Sequence, residues 1–354
     1  MQQGGEIIGE GVYGCVFDPP LECEESSPQH KPGSVGKIES LGEANEEYAF
    51  SLGLREIPYA DEYFVLIDSV CVPKARTKQT NKSLSKCKSI QGLKLPSTLQ
   101  LTMPFGGKPL IKLINTINPN NLDIVGQKLL EAGTLLLLGG VVHSDLHLAN
   151  ILIDSAGKLR IIDFGNAWFE GGLNEQTINR VITNFNSTNM QKSLEDSIIS
   201  AITTNIDIDL AIAKMKDDKK VLSYIYKLTG RTVDSQFKEL NQFLKSSLAF
   251  RERNWVSFYK IYWKKVDAWS IGTALLYTFI NTFMVHADVH PRSVLWQKCI
   301  LGLCEIDPGK RLDALEALEL WAPDSKILQL REVQQMAQQE KMIRNQLIQK
   351  IGVF

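Results

Sequence analysis

Two short apolar runs, Val141-Val142 and Leu159-Arg160-Ile161-Ile162, each lead into a cluster of polar residues, and these clusters constrain the chain more than any other feature. The first run is followed by His143-Ser144-Asp145-Leu146-His147-Leu148-Ala149-Asn150, the second by Asp163-Phe164-Gly165. Short apolar runs bounded by polar turns read as buried strand ends. Strand ends flanking a tight loop bring Asp145, Asn150 and Asp163 toward one spot. Asn150 and Asp163 offer oxygens suited to a hard cation such as Mg²⁺, and the Asp145 carboxylate can handle a proton. Asp and Asn also cap ordinary loops, so the reading depends on what accompanies them.

What accompanies them is ordered. Glu6 to Phe17 reads as strand, glycine turn, strand, with the pattern Gly9-x-Gly11-x-x-Gly14-x-Val16. Dinucleotide-binding domains share this glycine spacing, but there the glycines open a helix. Here Cys15-Val16-Phe17 continues a strand and Asp18-Pro19-Pro20 prevents a helix. A hairpin folded over phosphates fits better, because glycines let backbone N–H groups approach oxygens without a Cβ in the way. A polar loop (18–33) follows, then a short strand, Ser34 to Ile38, which carries Lys37. Glu43 to Leu54 has a helical pattern with Tyr48, Phe50 and Leu54 near one face. Tyr63 to Val72 and Thr98 to Met103 read as strands, and Lys74 to Lys88 as a basic, solvated loop. Pro104-Phe105-Gly106-Gly107 breaks the last strand, and beyond it the character is helical: Leu122–Leu138, Leu194–Phe250, Val266–Val285 and Val294–Cys304. A Gln- and Lys-rich tail from Ser325 to Ile351 is spaced for an amphipathic helix.

With 354 residues, 44% of them hydrophobic, the chain can bury a full core in two lobes or domains. A net charge of −1 gives no sign of a nucleic-acid or anionic-membrane binder. The apolar stretch 271–285, interrupted by Thr273, Thr278, Asn281 and Thr282, reads as a buried helix and not a membrane span. Met1 to Glu6 lacks the basic and apolar regions of a secretory signal, and Gln2 excludes N-myristoylation. Six cysteines with no C-x-x-C pair are too sparse for a disulfide framework, so reduced thiols and a cytoplasmic setting are expected, with Cys71–Cys87 the one pairing considered.

The loop motif and Asp163-Phe164-Gly165 resemble the protein kinase family, whose pattern is H-R-D-L-x-x-x-N followed by D-F-G. The resemblance covers about residues 6 to 322 in the family's order. It implies an α+β, bilobal protein-kinase-like fold: a β-rich N-lobe (1–103), a hinge (104–108), and a helical C-lobe (109–324) with a helical insert at about 171–254, then a C-terminal amphipathic helix (325–354). It also implies ATP and Mg²⁺ as cofactors. Gly9, Gly11, Gly14 and Val16 would cover the nucleotide, and Lys37 would hold the α/β-phosphates. Glu47 would pair with Lys37, Glu46 being the alternative. Met103 and Phe105 would line the adenine pocket at the hinge. Asp145 would receive the acceptor's hydroxyl proton, and Asn150 and Asp163 would hold magnesium. His143 is expected to be structural. Val266-Asp267-Ala268-Trp269-Ser270-Ile271-Gly272 resembles the central buried helix, where Asp267 would brace the catalytic loop. Asp307-Pro308-Gly309-Lys310-Arg311-Leu312 resembles a late motif whose arginine pairs with a glutamate, here assigned to Glu252.

Some residues depart from the family pattern. Ser144 stands where an arginine usually receives an activation-loop phosphate, so activity is not expected to depend on such phosphorylation. His147 stands where a lysine usually lies near the transferred phosphate. The interval from Asp163 to Asp267 is long and has no A-P-E sequence. The expected activity is transfer of the ATP γ-phosphate to a Ser/Thr hydroxyl of a protein substrate, in the manner of divergent kinases of large DNA viruses, placed in the host cytoplasm. The alternatives are a small-molecule hydroxyl as acceptor, or a pseudokinase that serves as a binding module. Neither nucleic acid nor membrane is expected as a partner, and the oligomeric state is unassigned.

Overall fold

The computed structural model describes residues 5–11, 14–24, 31–74, 81–82, 84–116, 119–182, 184–283 and 292–351. The glycine-turn tip at 12–13, part of the expected loop at 74–88, and residues 284–285 of the expected buried helix lie outside them. By packing, the described chain forms two units: 1–108 with 152–165, and 109–151 with 166–354.

The first unit is built on a five-stranded antiparallel sheet in the order β1-β2-β4-β7-β5, from β1 (Glu6–Glu10), β2 (Gly14–Asp18), β4 (Ser34–Ser40), β5 (Ser69–Cys71) and β7 (Thr98–Pro104). A short β3 (Glu22–Cys23) pairs with β6 (Pro73–Lys74). Alternation along β4 decides what each face carries. Val35, Lys37 and Glu39 point to one side, and Ile38 to the other. On the first side Val35 joins Ala44, Val65, Ile67, Leu101 and Met103 in a core that also receives Val16, Tyr48 and Ile162. On the second, Ile38 packs with Cys15, Phe17, Leu21, Cys87 and Ile90. Helix α1 (Leu41–Leu54) starts where Ser40 leaves the sheet and accepts the Glu43 N–H at its N-cap. The expected strand from Tyr63 is shorter than predicted. Ala60–Tyr63 closes a helical turn, α2, then residues 64–68 run extended and the Phe64–Ile161 bridge joins them to the segment 152–165.

The cysteine expectation is corrected here. Cys15 is bonded to Cys87 and Cys23 to Cys71, leaving Cys299 and Cys304 as buried thiols. Neither pair is close in sequence: sheet order sets them together, with Cys15 on β2 and Cys23 beside β6. The Cys71–Cys87 pairing considered from sequence is not formed, because each sulfur has another partner.

The second unit is helical. Its elements in chain order are α3 (Leu110–Leu113), α4 (Pro119–Leu138), β9 (Val141–Val142), β12 (Trp168–Phe169), α5 (Glu175–Val181), α6 (Leu194–Thr203), α7 (Ile208–Asp218), α8 (Lys220–Thr229), α9 (Val233–Ser246), α10 (Leu248–Arg251), α11 (Trp255–Phe283), α12 (Ser293–Leu303), α13 (Ala314–Trp321) and α14 (Arg331–Ile351). Between β9 and β12 the chain visits the first unit through β10 (Ile151–Ile153) and β11 (Leu159–Ile161), and β8 (Lys108–Pro109) precedes α3. Caps punctuate the helices as the side chains allow: Asn174, Ser193, Asp207, Thr232 and Ser247 each accept an N-terminal backbone N–H, and Asp313 with Glu316 forms a capping box. Trp269, Trp296 and Trp321 are fully buried, and the last two meet edge-to-face at 4.7 Å. Among the described residues no helix is long and apolar enough to cross a membrane. The stretch from Ile271 is the buried part of α11.

Candidate functional site

In the first unit three carboxylates gather on one ammonium. The Lys37 Nζ lies 2.6 Å from Glu47 Oε2, 2.7 Å from Glu39 Oε1 and 3.6 Å from Asp163 Oδ1. The three arrive from different directions: Glu39 from β4 itself, Glu47 from α1, and Asp163 from the turn after β11. Burial alone would lower the lysine's pKa, but the charges of Glu47, Asp163 and Glu39 together raise it well above its ordinary value. Lys37 is therefore a fixed cation. Glu39 was not anticipated, although it is two residues from Lys37 on a strand and so shares its face. It is fully buried, and among the described residues neither carboxylate oxygen has a hydrogen bond of good geometry. Burial pushes its carboxyl up to about 7, with Lys37 opposing and Glu47 adding to the rise.

Asp163 adopts a left-handed backbone, φ +66°, which an Asp tolerates better than most residues. Phe164 holds the turn. It is buried, stacked on Phe50 at 5.8 Å and met edge-on by Phe64 at 5.7 Å. Gly14 could be nothing larger, since a Cβ there would collide with the Ile38 carbonyl oxygen and the Glu39 side chain. Gly9 and Gly11 have room for a Cβ, so packing alone does not demand them. Gly11 donates its N–H to the Gly14 carbonyl at 2.8 Å. A loop grips this hairpin: Glu10 accepts the Lys88 N–H at 2.7 Å, and the Ser89 hydroxyl donates to the Gly11 carbonyl at 2.5 Å. Met103 belongs to the core cluster against which Val16 packs. The Phe105 side chain is exposed, and its backbone N–H is donated to the Gly33 carbonyl at 2.9 Å.

In the second unit the loop after β9 hangs from one helix. The Asp267 carboxylate on α11 accepts the His143 N–H at 2.6 Å and the Ser144 N–H at 3.0 Å. Its burial raises its pKa despite the bonds from His143 and Ser144. His143 is itself buried, and its Nδ1 accepts the Asp145 N–H at 3.3 Å. Ser144 takes the left-handed φ of +64°, and its hydroxyl accepts the Trp168 indole N–H at 2.8 Å. The Asn150 amide nitrogen donates to the Asp145 carbonyl at 3.0 Å. That bond fixes which way the amide faces and leaves Oδ1 as the atom that could meet a cation. Asn150 and Asp163 thus have the donor chemistry that magnesium prefers.

Residues 47–197 match the ABC1 atypical kinase-like domain. No curated protein matches the chain. Residues 47–197 are thus similar to a kinase-like domain, and the chain has a strand-rich N-terminal region and a larger helical region, consistent with a bilobal kinase-like arrangement. The matched span opens at Glu47 and takes in Asp145, Asn150 and Asp163, whereas Lys37 and the glycine hairpin lie before it.

The end of that span coincides with a second correction. Arg311 pairs not with Glu252 but with Glu195, through Nη1 at 2.7 Å and Nη2 at 3.1 Å, and both side chains are buried. Sequence reasoning missed Glu195 because no A-P-E surrounds it; the local signal was the cap Ser193 followed by acidic residues opening a helix. Beside Asp145 lies a pocket of about 160 Å³ lined by Ser144, Trp168, Lys192, Asp196, Tyr259 and Ser270, among others. Asp196 is held by the Tyr259 hydroxyl at 2.8 Å and the Ser193 hydroxyl at 2.9 Å.

Proposed function

We propose that this protein is an ATP- and Mg²⁺-dependent phosphotransferase that moves the γ-phosphate to the hydroxyl of a small molecule. The observation that carries the reading is the convergence of Glu47 and Asp163 on Lys37, a buried cation held in place from both α1 and the turn after β11. A permanently charged ammonium so positioned suits phosphate oxygens, and Asp163, partly exposed, suits a metal. Asn150, with its amide orientation fixed, is the second candidate metal ligand. Asp145, on a loop braced by Asp267, is the candidate acceptor of the hydroxyl proton. Bound Mg–ATP would supply the transferred phosphoryl group.

The small-molecule acceptor is favoured over a Ser/Thr protein by two observations. The matched family is of atypical kinase-like domains, and the pocket at Asp145 is about the size of a cavity that holds one small ring. The experiment is transfer from γ-labelled ATP with Mg²⁺ to a panel of small alcohols and aminoglycosides, with casein in parallel, using wild type and Asp145→Asn. Labelling of a small acceptor that vanishes in the variant supports the reading. Labelling of casein alone would replace it with the protein-kinase reading, and ATP binding without turnover would replace it with a binding module.

A further inference from the structure

A phosphoryl group moving to an acceptor next to Asp145 brings negative charge against a carboxylate. Such a step needs a cation on the acceptor's side, set in place before the reaction. His147 is the basic residue nearest in sequence, and its Nε2 is 3.9 Å from Asp145 Oδ1. Its Nδ1, however, accepts the Ala149 N–H at 3.2 Å, so the ring is tied to its own loop.

Lys192 lines the pocket with Asp145. We propose that Lys192 is a catalytic residue of the phosphotransfer, its ammonium contacting the phosphoryl oxygens as the new bond forms at the acceptor held by Asp145. This rests on the phosphotransferase reading above. In the step, the acceptor oxygen gives up its proton to Asp145 and forms a bond to the γ-phosphorus. The bond from that phosphorus to the bridging oxygen breaks, and ADP departs with the electron pair.

The placement of Lys192 is built, not incidental. Closely spaced residues of α11 hold both partners. Asp267 fixes the His143 and Ser144 N–H groups that precede Asp145. Trp269 donates its indole N–H to the Met190 carbonyl at 2.9 Å, and the Ser270 hydroxyl donates to the Gln191 carbonyl at 2.9 Å. One short stretch of helix thus sets the distance between the two sides of the pocket. The Lys192 N–H is held in turn by Asn189 Oδ1 at 3.2 Å, and Ser193 caps α6 directly after it. The side chain is half-buried, and burial lowers its pKa against the pull of Asp196 and Asp145. Asp196 is engaged by Tyr259 and Ser193. A partly desolvated ammonium has few waters to displace when it meets phosphoryl oxygens.

The test uses the full chain. ADP release and acceptor labelling are measured for wild type, Asp145→Asn, Lys192→Met and Lys192→Arg, alongside nucleotide affinity and melting temperature. The expected result is a fall of about 100-fold in kcat for Lys192→Met, with KM for ATP and the melting temperature nearly unchanged. Lys192→Arg is expected to recover at least a tenth of the wild-type rate. On an active wild type, a Lys192→Met variant that keeps more than half its kcat would overturn the assignment while leaving the phosphotransferase reading intact. Equal loss in the Met and Arg variants together with lower melting temperatures would mark the residue as structural and also overturn it. No turnover by wild type with any acceptor would overturn both.

Discussion

Glu39 offers a test in which the sign of the effect is informative. Its carboxyl is buried beneath the glycine hairpin and pushed up to about 7 from an ordinary 4.5, chiefly by burial, with Lys37 pulling it down and Glu47 pushing it further up. A carboxyl that holds its proton more tightly when folded makes ionisation oppose folding. The penalty is absent below about pH 4.5, grows as pH rises through about 7, and is complete by about pH 8.5; the gap corresponds to about 3 kcal/mol. Glu39→Gln keeps the shape and removes the charge, while Glu47 and Asp163 still hold Lys37. Urea denaturation should therefore find the variant within about 1 kcal/mol of wild type at pH 5, the scale of one altered hydrogen bond, and more stable by about 2–3 kcal/mol at pH 8.5. If the variant instead loses stability relative to wild type as pH rises, the Lys37–Glu39 pair is a net stabiliser and the reasoning fails. The expected outcome has a corollary. A costly buried carboxylate beside a lysine proposed to bind phosphate would be a stability loss retained for function.

Three other outcomes follow from the geometry. Asp267→Asn leaves one acceptor for two backbone N–H groups, so kcat should fall at least about tenfold with KM for ATP little changed, read from steady-state kinetics. Glu195→Gln leaves the buried Arg311 guanidinium uncompensated and should cost about 3–5 kcal/mol in chemical denaturation; a cost below about 1 kcal/mol would refute the claim that this pair is a structural requirement. The disulfides close loops of 72 and 48 residues, and in the chain-entropy account each contributes about 4 kcal/mol, so a reductant should lower the melting temperature of the wild type but not of a variant in which all four bonded cysteines are replaced by serine.

The positions of the candidate residues were legible where residue type and local order carry them. Asp145 and Asn150 sit in one loop, Lys37 sits on a strand behind a glycine turn, and Asp163 opens its own turn; each is a short-range pattern. Glu47 could be preferred over Glu46 because helical periodicity put Tyr48 and Leu54 on the core side. What resisted reading was every partnership set by tertiary path. Cys15 meets Cys87, and Cys23 meets Cys71, because strands β2 and β3 are brought to distant segments, and spacing between cysteines carries no such information. Glu195 reaches Arg311 across the helical unit, and a glutamate nearer the next motif was guessed instead. Phe105 was placed in the adenine pocket by the resemblance of 104–107 to the hinge, and sequence gives no sign that the Gly33 carbonyl takes its N–H. Lys192 was invisible for a related reason. Its placement beside Asp145 is set by Trp269 and Ser270, which bond the Met190 and Gln191 carbonyls from far along the chain.

The Ser144–Trp168 bond has a consequence for how the loop answers its surroundings. A loop positioned by an arginine and a phosphate is held by full charges, and its order varies with ionic strength and with the enzymes that add or remove the phosphate. Here the equivalent tie is a neutral hydroxyl accepting an indole N–H, with the indole itself buried in the helical unit. Such a contact carries no net charge, so salt does not screen it, and the order of this loop is expected to be insensitive to ionic strength.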